Sequence, residues 1–460
     1  LTAGVATADI TPPLGVAMAG YGSREQTACG IADPLQAQAL VLEAGDTVCA
    51  VVCTDLIGLE AEIVADIRQQ AQALSGIPGE QIMICGSHTH WGPLLQRSRY
   101  IPAHLQDTVS DDYLQTLQAT LAGLVAQAHR ERQPAAAGWG NGWAETITFN
   151  RRTVGAEGLT EMNLVLDPPQ ALAASREGNR LARAWRRGEH LGPRLSAPLA
   201  ALGGLRVGPA DAEVALLRLD RTDGTPLASL LSFACHAVCG GGDFYHFSAD
   251  YPGEARQAFA DLTGGPLLFA AGAAGDQVPR WRGEGSRRRV GRSLGAAAAA
   301  VWLGIDDRQG QVPLQVARQE VRFPLNDKVP PQAEAEAALA AQEDPEGTAA
   351  CMLRAMAGLA REIEQYPEGY PGEVWALRLG EVGLVALPGE VLVEIGQQIK
   401  QRSPFPVTIV VSLANGCPGY MPTDNACREG GYEPGWSPVG RGTEKVLVDT
   451  SLALLQSLQG

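Results

Sequence analysis

At 460 residues and a formal charge of −15, the chain is too acidic for nucleic acid, whose phosphates demand a basic face or stripe. The same charge opposes simple adsorption to anionic membranes. Its 45% hydrophobic and 19% charged residues are those of an ordinary soluble globular protein with ample material for a core. The apolar run 295–305 is too short and too alanine-rich to be a transmembrane span. The start, Leu1-Thr2-Ala3-Gly4, lacks the basic and apolar regions of a signal peptide.

Short apolar runs alternate with longer amphipathic ones, which predicts an α/β fold of mixed β-sheets flanked by helices. In chain order the pattern predicts a strand at 47–54, a helix at 60–75, a strand at 81–85 and a helix at 111–129. After an irregular, arginine-scattered stretch at 153–210 come strands at 213–219 and 226–234, a helix at 251–261, a strand at 266–270 and a helix at 287–303. A polar helical hairpin follows within 327–372, its helical pattern at 333–365. Then come a strand at 382–387, a helix at 391–402 and a strand at 406–413. The reading is one domain over 1–460, with 153–210 and 327–372 as insertions of solvated surface structure.

Nine cysteines is an odd number, so at least one thiol is unpaired within the chain. Cys49, Cys53, Cys85 and Cys235 lie in apolar runs and read as small buried side chains. Cys235 and Cys239 flank His236, but no second pair completes a known type of cysteine zinc site. Cys417 and Cys427 share a loop and are the pair expected to form a disulfide.

Polar residues gather where strands end. The run 47–54 ends at Asp55, and 81–85 ends in Gly86-Ser87-His88-Thr89-His90. The strand at 226–234 ends at His236, the one at 266–270 enters Gly272-Ala273-Ala274-Gly275-Asp276, and 382–387 leads to Glu390. The strand at 406–413 leads to Asn415 and Tyr420. Sites of open α/β sheets form at the carboxyl ends of strands, so these residues can converge. A His-x-His pair on extended backbone points both rings to one face, suiting either two metal ligands or a ligand and a base. Two ordinary loop histidines fit the same spacing. His236 reads equally as a satisfied core histidine, and Glu390, opening a helix, is favoured by the dipole alone. From residues alone, the chain supports a His/His/Glu metal site and nothing finer.

Several ordered blocks resemble the neutral, non-lysosomal ceramidases. Gly86-Ser87-His88-Thr89-His90-Trp91-Gly92-Pro93 is similar to that family's histidine block, and Ala3 through Pro12 resembles its N-terminal strand. Asn150-Arg151, Phe233-Ala234-Cys235-His236, Ser248-Ala249-Asp250, Ala386-Leu387-Pro388-Gly389-Glu390 and Leu413 through Tyr420 follow in the same order. The resemblance implies a Zn²⁺ held by His88, His236, Glu390 and Tyr420. It also implies His90 as an unligated active-site histidine, with Arg151 and Tyr432 beside it.

Three departures change what the resemblance implies. Val278 stands where the family carries a serine proposed for catalysis, and valine can neither attack nor donate a hydrogen bond. Trp91 replaces a serine after the second histidine and is expected to reshape the pocket wall. The family's C-terminal immunoglobulin-like domain also has no counterpart, so a small-molecule substrate other than ceramide is expected. Zinc-bound hydroxide needs no serine. In this reading His90 moves the proton, Arg151 and Tyr432 face the oxyanion, and Asp276 orients a histidine. Arg280 and Arg282 are candidates for recognising an acidic substrate group. Cleavage of an amide leads, an ester or phosphoester is the first alternative, and a non-catalytic zinc-containing binding protein the second.

Overall fold

In the computed structural model, which describes residues 1–96, 103–155, 158, 160–162, 201–202, 205–283, 285–342 and 348–459, two mixed β-sheets lie face to face between outer layers of helix. Eight strands form the larger sheet. They are β1 (Thr2–Asp9), β2 (Gln36–Ala44), β3 (Thr47–Thr54), β4 (Ile82–Gly86), β5 (Gln133–Trp143), β6 (Glu213–Arg221), β7 (Pro226–Phe233) and β8 (Leu267–Ala271). They lie side by side in the order β8-β7-β6-β5-β1-β2-β3-β4. The smaller sheet runs β9 (Leu314–Phe323), β10 (Tyr370–Leu379), β11 (Val382–Ala386) and β12 (Val407–Val411) in sequence order. Neighbours are antiparallel except in three pairs, β3 with β4, β7 with β8 and β11 with β12.

The layering follows from the two-residue period of a strand. On β2, Leu40 and Leu42 face the smaller sheet, and the intervening Ala39 and Val41 face helices. On β6, Leu217 faces inward and Leu216 outward; on β10, Trp375 and Leu377 point in and Val374 and Ala376 out. Strands covered on both faces read as continuous apolar runs rather than alternating ones. Each fully buried Leu, Ile or Val contributes about 1.5–3 kcal/mol over leaving it exposed.

Helices α1 (Ala61–Ser75) and α2 (Asp111–Arg130) cover the outer face of β1 to β4. Helices α3 (Asp250–Thr263) and α4 (Ser286–Leu303) cover β6 to β8. The segment 327–372 holds α5 (Gln332–Ala340) and α6 (Thr348–Glu364), which meet through Ala335, Ala357 and Ala360. Helices α7 (Val393–Arg402) and α8 (Thr443–Ser457) cover the smaller sheet. Of the stretch 153–210, residues 163–200 lie outside the described residues. No helix among the described residues is long and apolar enough to cross a membrane.

Five strands, β1, β2, β5, β9 and β10, go unannounced by the sequence pattern, as does α8, and of these β1 is reached only through the resemblance of Ala3 through Pro12. Strand β5 shows why, because Gly138, Gly140 and Gly142 replace the β-branched residues that mark a strand. A methyl at Gly138 would stand 2.5 Å from Ile305 Cγ2, and one at Gly142 would stand 2.6 Å from Val301 Cγ2. The end of α4 therefore rests directly on the strand.

The expected disulfide is absent: Cys417 and Cys427 are both free thiols. The Cys417 sulfur is turned onto Gly58, whereas Cys427 rides on the short helix Asp424–Glu429.

Helices α3 and α4 cross at Gly291 and Gly295. A Cβ at Gly295 would lie 2.6 Å from the Ala255 carbonyl oxygen and 2.8 Å from Ala258 Cβ. Gly295→Leu is expected to force the helices apart and lower the unfolding free energy by about 1–3 kcal/mol. Urea denaturation measures it, and an unchanged midpoint would show that the crossing has slack.

Candidate metal centre

The three parallel strand pairs carry the candidate residues to one place. Strand β4 ends just before His88, β7 just before His236 and β11 four residues before Glu390, while β12 leads to Tyr420. Two short ladders tie these exits together. Glu390–Val391 pairs in parallel with Tyr420–Met421, setting Glu390 opposite Tyr420, and Gln277–Pro279 pairs with Thr148–Asn150. His88 has φ of 64°, a left-handed conformation that side chains other than glycine adopt only where surroundings impose it.

The ring contacts define the chemistry. His88 donates from Nδ1 to the Ile57 carbonyl at 2.6 Å, and His236 donates from Nδ1 to the Ala274 carbonyl at 2.6 Å. A carbonyl only accepts, so each Nδ1 bears the proton and each Nε2 is left with its lone pair. Both lone pairs aim at Glu390 Oε2, at 3.2 Å from His88 and 3.0 Å from His236. Three acceptors meeting this closely repel unless a proton or a cation lies among them. Burial opposes the proton at His236, whose pKa is pushed down to about 4, burial first and Arg151 next. Burial would raise Glu390, but its pKa is held well below the carboxylate range by positive charge on the His88 and His236 side, a charge that a cation supplies once the rings themselves are neutral. The donor set fits a metal cation, since such ligands bind deprotonated, with the other imidazole nitrogen fixed by a hydrogen bond.

His90 joins the cluster. His88, His90 and His236 bring ligand atoms within 4.8 Å of one another and can together hold a metal ion. His90 Nε2 is 3.3 Å from His88 Nε2, its ring meets Tyr21 edge-on at 4.9 Å, and its buried Nδ1 has no hydrogen-bond partner among the described residues. Burial, followed by the His88 and His236 rings, pulls its pKa well down and leaves it a neutral base. The main chain of His90 is fixed from behind by Arg24, whose Nη2 donates to the His90 carbonyl at 2.8 Å.

Arg151 is 4% exposed and donates from Nη2 to the Tyr420 phenol oxygen and the Gly275 carbonyl, each at 3.0 Å. Burial and then Glu390 push the Tyr420 phenol well up, against the pull of Arg151. Tyr432 stands outside it, 42% exposed, with its ring 5.7 Å from that of Tyr420.

Asp276 is placed differently from expectation: among the described residues its carboxylate hydrogen-bonds no histidine. Oδ2 accepts from Asn150 Nδ2 at 2.8 Å, and Oδ1 accepts from Gln277 Nε2 and the Val393 N–H, each at 3.0 Å. His236 is oriented instead by main-chain carbonyls of the same loop, because β8 delivers that loop beneath the ring. Val278 is fully buried against Phe149, Val207 and Val238, an apolar nest that suits an aliphatic side chain. Trp91 is 1% exposed, packed among Met18, Phe244 and Phe247. Arg282 bears electrostatically on Tyr21, which stands beside His90, while Arg280 lies over the Trp281 ring at 4.9 Å.

Sequence reading missed Glu433. It is 1% exposed and takes Arg151 Nε on one oxygen at 2.8 Å and Arg152 Nη1 on the other at 2.6 Å. No local pattern marks a carboxylate whose partners lie some 280 positions away.

Fold and site together define an α/β sheet sandwich carrying a buried histidine cluster able to hold a metal ion. Residues 1–155 match the family model described as neutral/alkaline non-lysosomal ceramidase, N-terminal. The crystal structure of neutral ceramidase from Pseudomonas aeruginosa superposes with a TM-score of 0.70 at 18% identity, covering 99% of this chain and 74% of that one. A ceramidase complexed with C2 superposes at 0.71 and 18% identity, covering 100% of this chain and 75% of that one. No curated protein matches the chain significantly in sequence. The chain is ceramidase-like, by sequence over its first third and by fold throughout.

Proposed function

We propose that the chain is a zinc-dependent hydrolase that cleaves an amide bond in a small molecule other than ceramide. The observation that supports it most is the convergence of the His88, His236 and Glu390 acceptors on one point with no proton to share. His88, His236, Glu390 and Tyr420 would hold the ion. The chemistry a zinc ion supplies in such a ligand set is a bound water of pKa near 7 and a polarised carbonyl. His90, neutral and beside the ligands, takes or relays the proton at Nε2. Arg151, with Tyr432 at the rim, supplies positive charge and a donor where the carbonyl oxygen becomes negative. Val278 removes any step through a serine at that position, which argues for hydrolysis without a covalent intermediate there and for a substrate unlike that of the ceramidases.

Metal analysis, with a panel of amides, esters and phosphoesters, tests this. About one zinc per chain is expected, with amides turned over, activity lost to chelators and regained with zinc. Faster turnover of phosphoesters would move the reaction class, and a metal-free active protein would end the reading. His90→Ala is expected to keep its zinc and lose roughly 10²–10⁴-fold in turnover, the worth of a positioned acid or base. Loss of zinc from that variant would make His90 a ligand.

A further inference from the structure

Glu433 divides its two carboxylate oxygens between two arginines, and that division decides what Arg151 has left to offer. A carboxylate facing one arginine takes it bidentately, consuming two parallel N–H groups. Here Oε1 takes Arg151 Nε, and Arg152 Nη1 holds Oε2. Arg152 is itself anchored by the Gly430 carbonyl at 3.0 Å and Thr160 Oγ1 at 3.2 Å. With Oε2 drawn away, Nη2 of Arg151 is released to the Tyr420 phenol oxygen and the Gly275 carbonyl. All three charged residues are under 7% exposed, so solvent cannot substitute for a missing partner.

We propose that Glu433 and Arg152 are positioning residues for the metal centre: they orient Arg151 so that it holds the Tyr420 oxygen at the ligand position. This rests on the reading of Tyr420 as a zinc ligand. Neither Glu433 nor Arg152 touches a histidine or Glu390 in the described contacts, so their effect on the metal passes through Arg151 alone. Arg152→Met isolates it. Glu433 keeps Arg151 as its partner, one buried positive and one buried negative charge remain, and the freed Oε2 can swing onto Arg151 Nη2 and take it from Tyr420.

The test measures zinc affinity by competition with a chromophoric chelator, and the visible spectrum of the cobalt-substituted protein, in wild type, Tyr420→Phe, Arg152→Met, Arg152→Lys and Glu433→Gln. Roughly 10–100-fold weaker zinc binding is expected for Arg152→Met and Glu433→Gln, the usual cost of losing a partner that orients a ligand. Their cobalt spectra should shift toward that of Tyr420→Phe, and Arg152→Lys should recover part of the affinity. If Tyr420→Phe itself leaves the wild-type spectrum unchanged, or wild type takes no metal, the ligand reading fails and the proposal with it. If Tyr420→Phe changes the spectrum while Arg152→Met keeps wild-type affinity and spectrum, the positioning role alone is overturned. Should Glu433→Gln not fold, Arg152→Met decides.

Discussion

Replacing His236 with alanine is expected to abolish metal binding and reduce hydrolysis to background, with a fold that no longer responds to zinc. His236 is 1% exposed, its Nδ1 is spent on the Ala274 and Gln277 carbonyls, and its Nε2 faces Glu390. Only the His88 and His90 nitrogens share that cluster among the described residues, and neither occupies the His236 position. In wild type, a ligand that binds only the folded state stabilises it by RT ln(1 + [L]/Kd), about 4 kcal/mol at a thousandfold excess over Kd. Zinc should therefore raise the wild-type unfolding midpoint and leave that of His236→Ala unmoved. Without metal the order can reverse, because the variant removes one of the lone pairs crowding Glu390 Oε2. Thermal unfolding of both proteins with and without zinc measures this. An equal zinc-induced rise in both would place the ion elsewhere.

The second large effect is expected at Asp276. Its carboxylate joins three segments that each carry part of the site, through Asn150 beside Arg151, Gln277 behind His236 and Val393 after Glu390. Asp276→Ala strips the Val393 N–H of its acceptor and takes one of two acceptors from the Asn150 and Gln277 amides, which keep the Pro209 carbonyl. Each buried N–H left unmet costs about 1–3 kcal/mol, so the variant should unfold several kcal/mol more easily or fail to accumulate. Asp276→Asn is not a rescue. Its amide would put N–H against the Asn150 amide, and Asn150 cannot turn over without losing its bonds to the Pro209 carbonyl and the Arg152 N–H. Intermediate stability with weakened zinc binding is expected of Asp276→Asn. Wild-type denaturation and metal content in that variant would show that the three segments hold their places without the carboxylate.

Much of this molecule is legible before folding. Strands such as 47–54 and 382–387 announce themselves because burial on both faces demands continuous apolar residues, and helices such as 60–75 because one face is buried. His88, His236, Glu390 and Tyr420 stand out as polar residues at strand ends, where chain direction alone brings them toward a common edge. What sequence could not determine is whatever depends on partners far apart in the chain. The glycines of β5 hide a strand because the end of α4 replaces their side chains. The thiols of Cys417 and Cys427 part because one turns onto Gly58. Asp276 anchors loops rather than a histidine because main-chain carbonyls reach the ring first. Glu433 becomes the counter-charge of two arginines only after the β-ladders close. Periodicity and residue type are local and survive in the unfolded chain, whereas hydrogen-bond partners and burial exist only in the folded one.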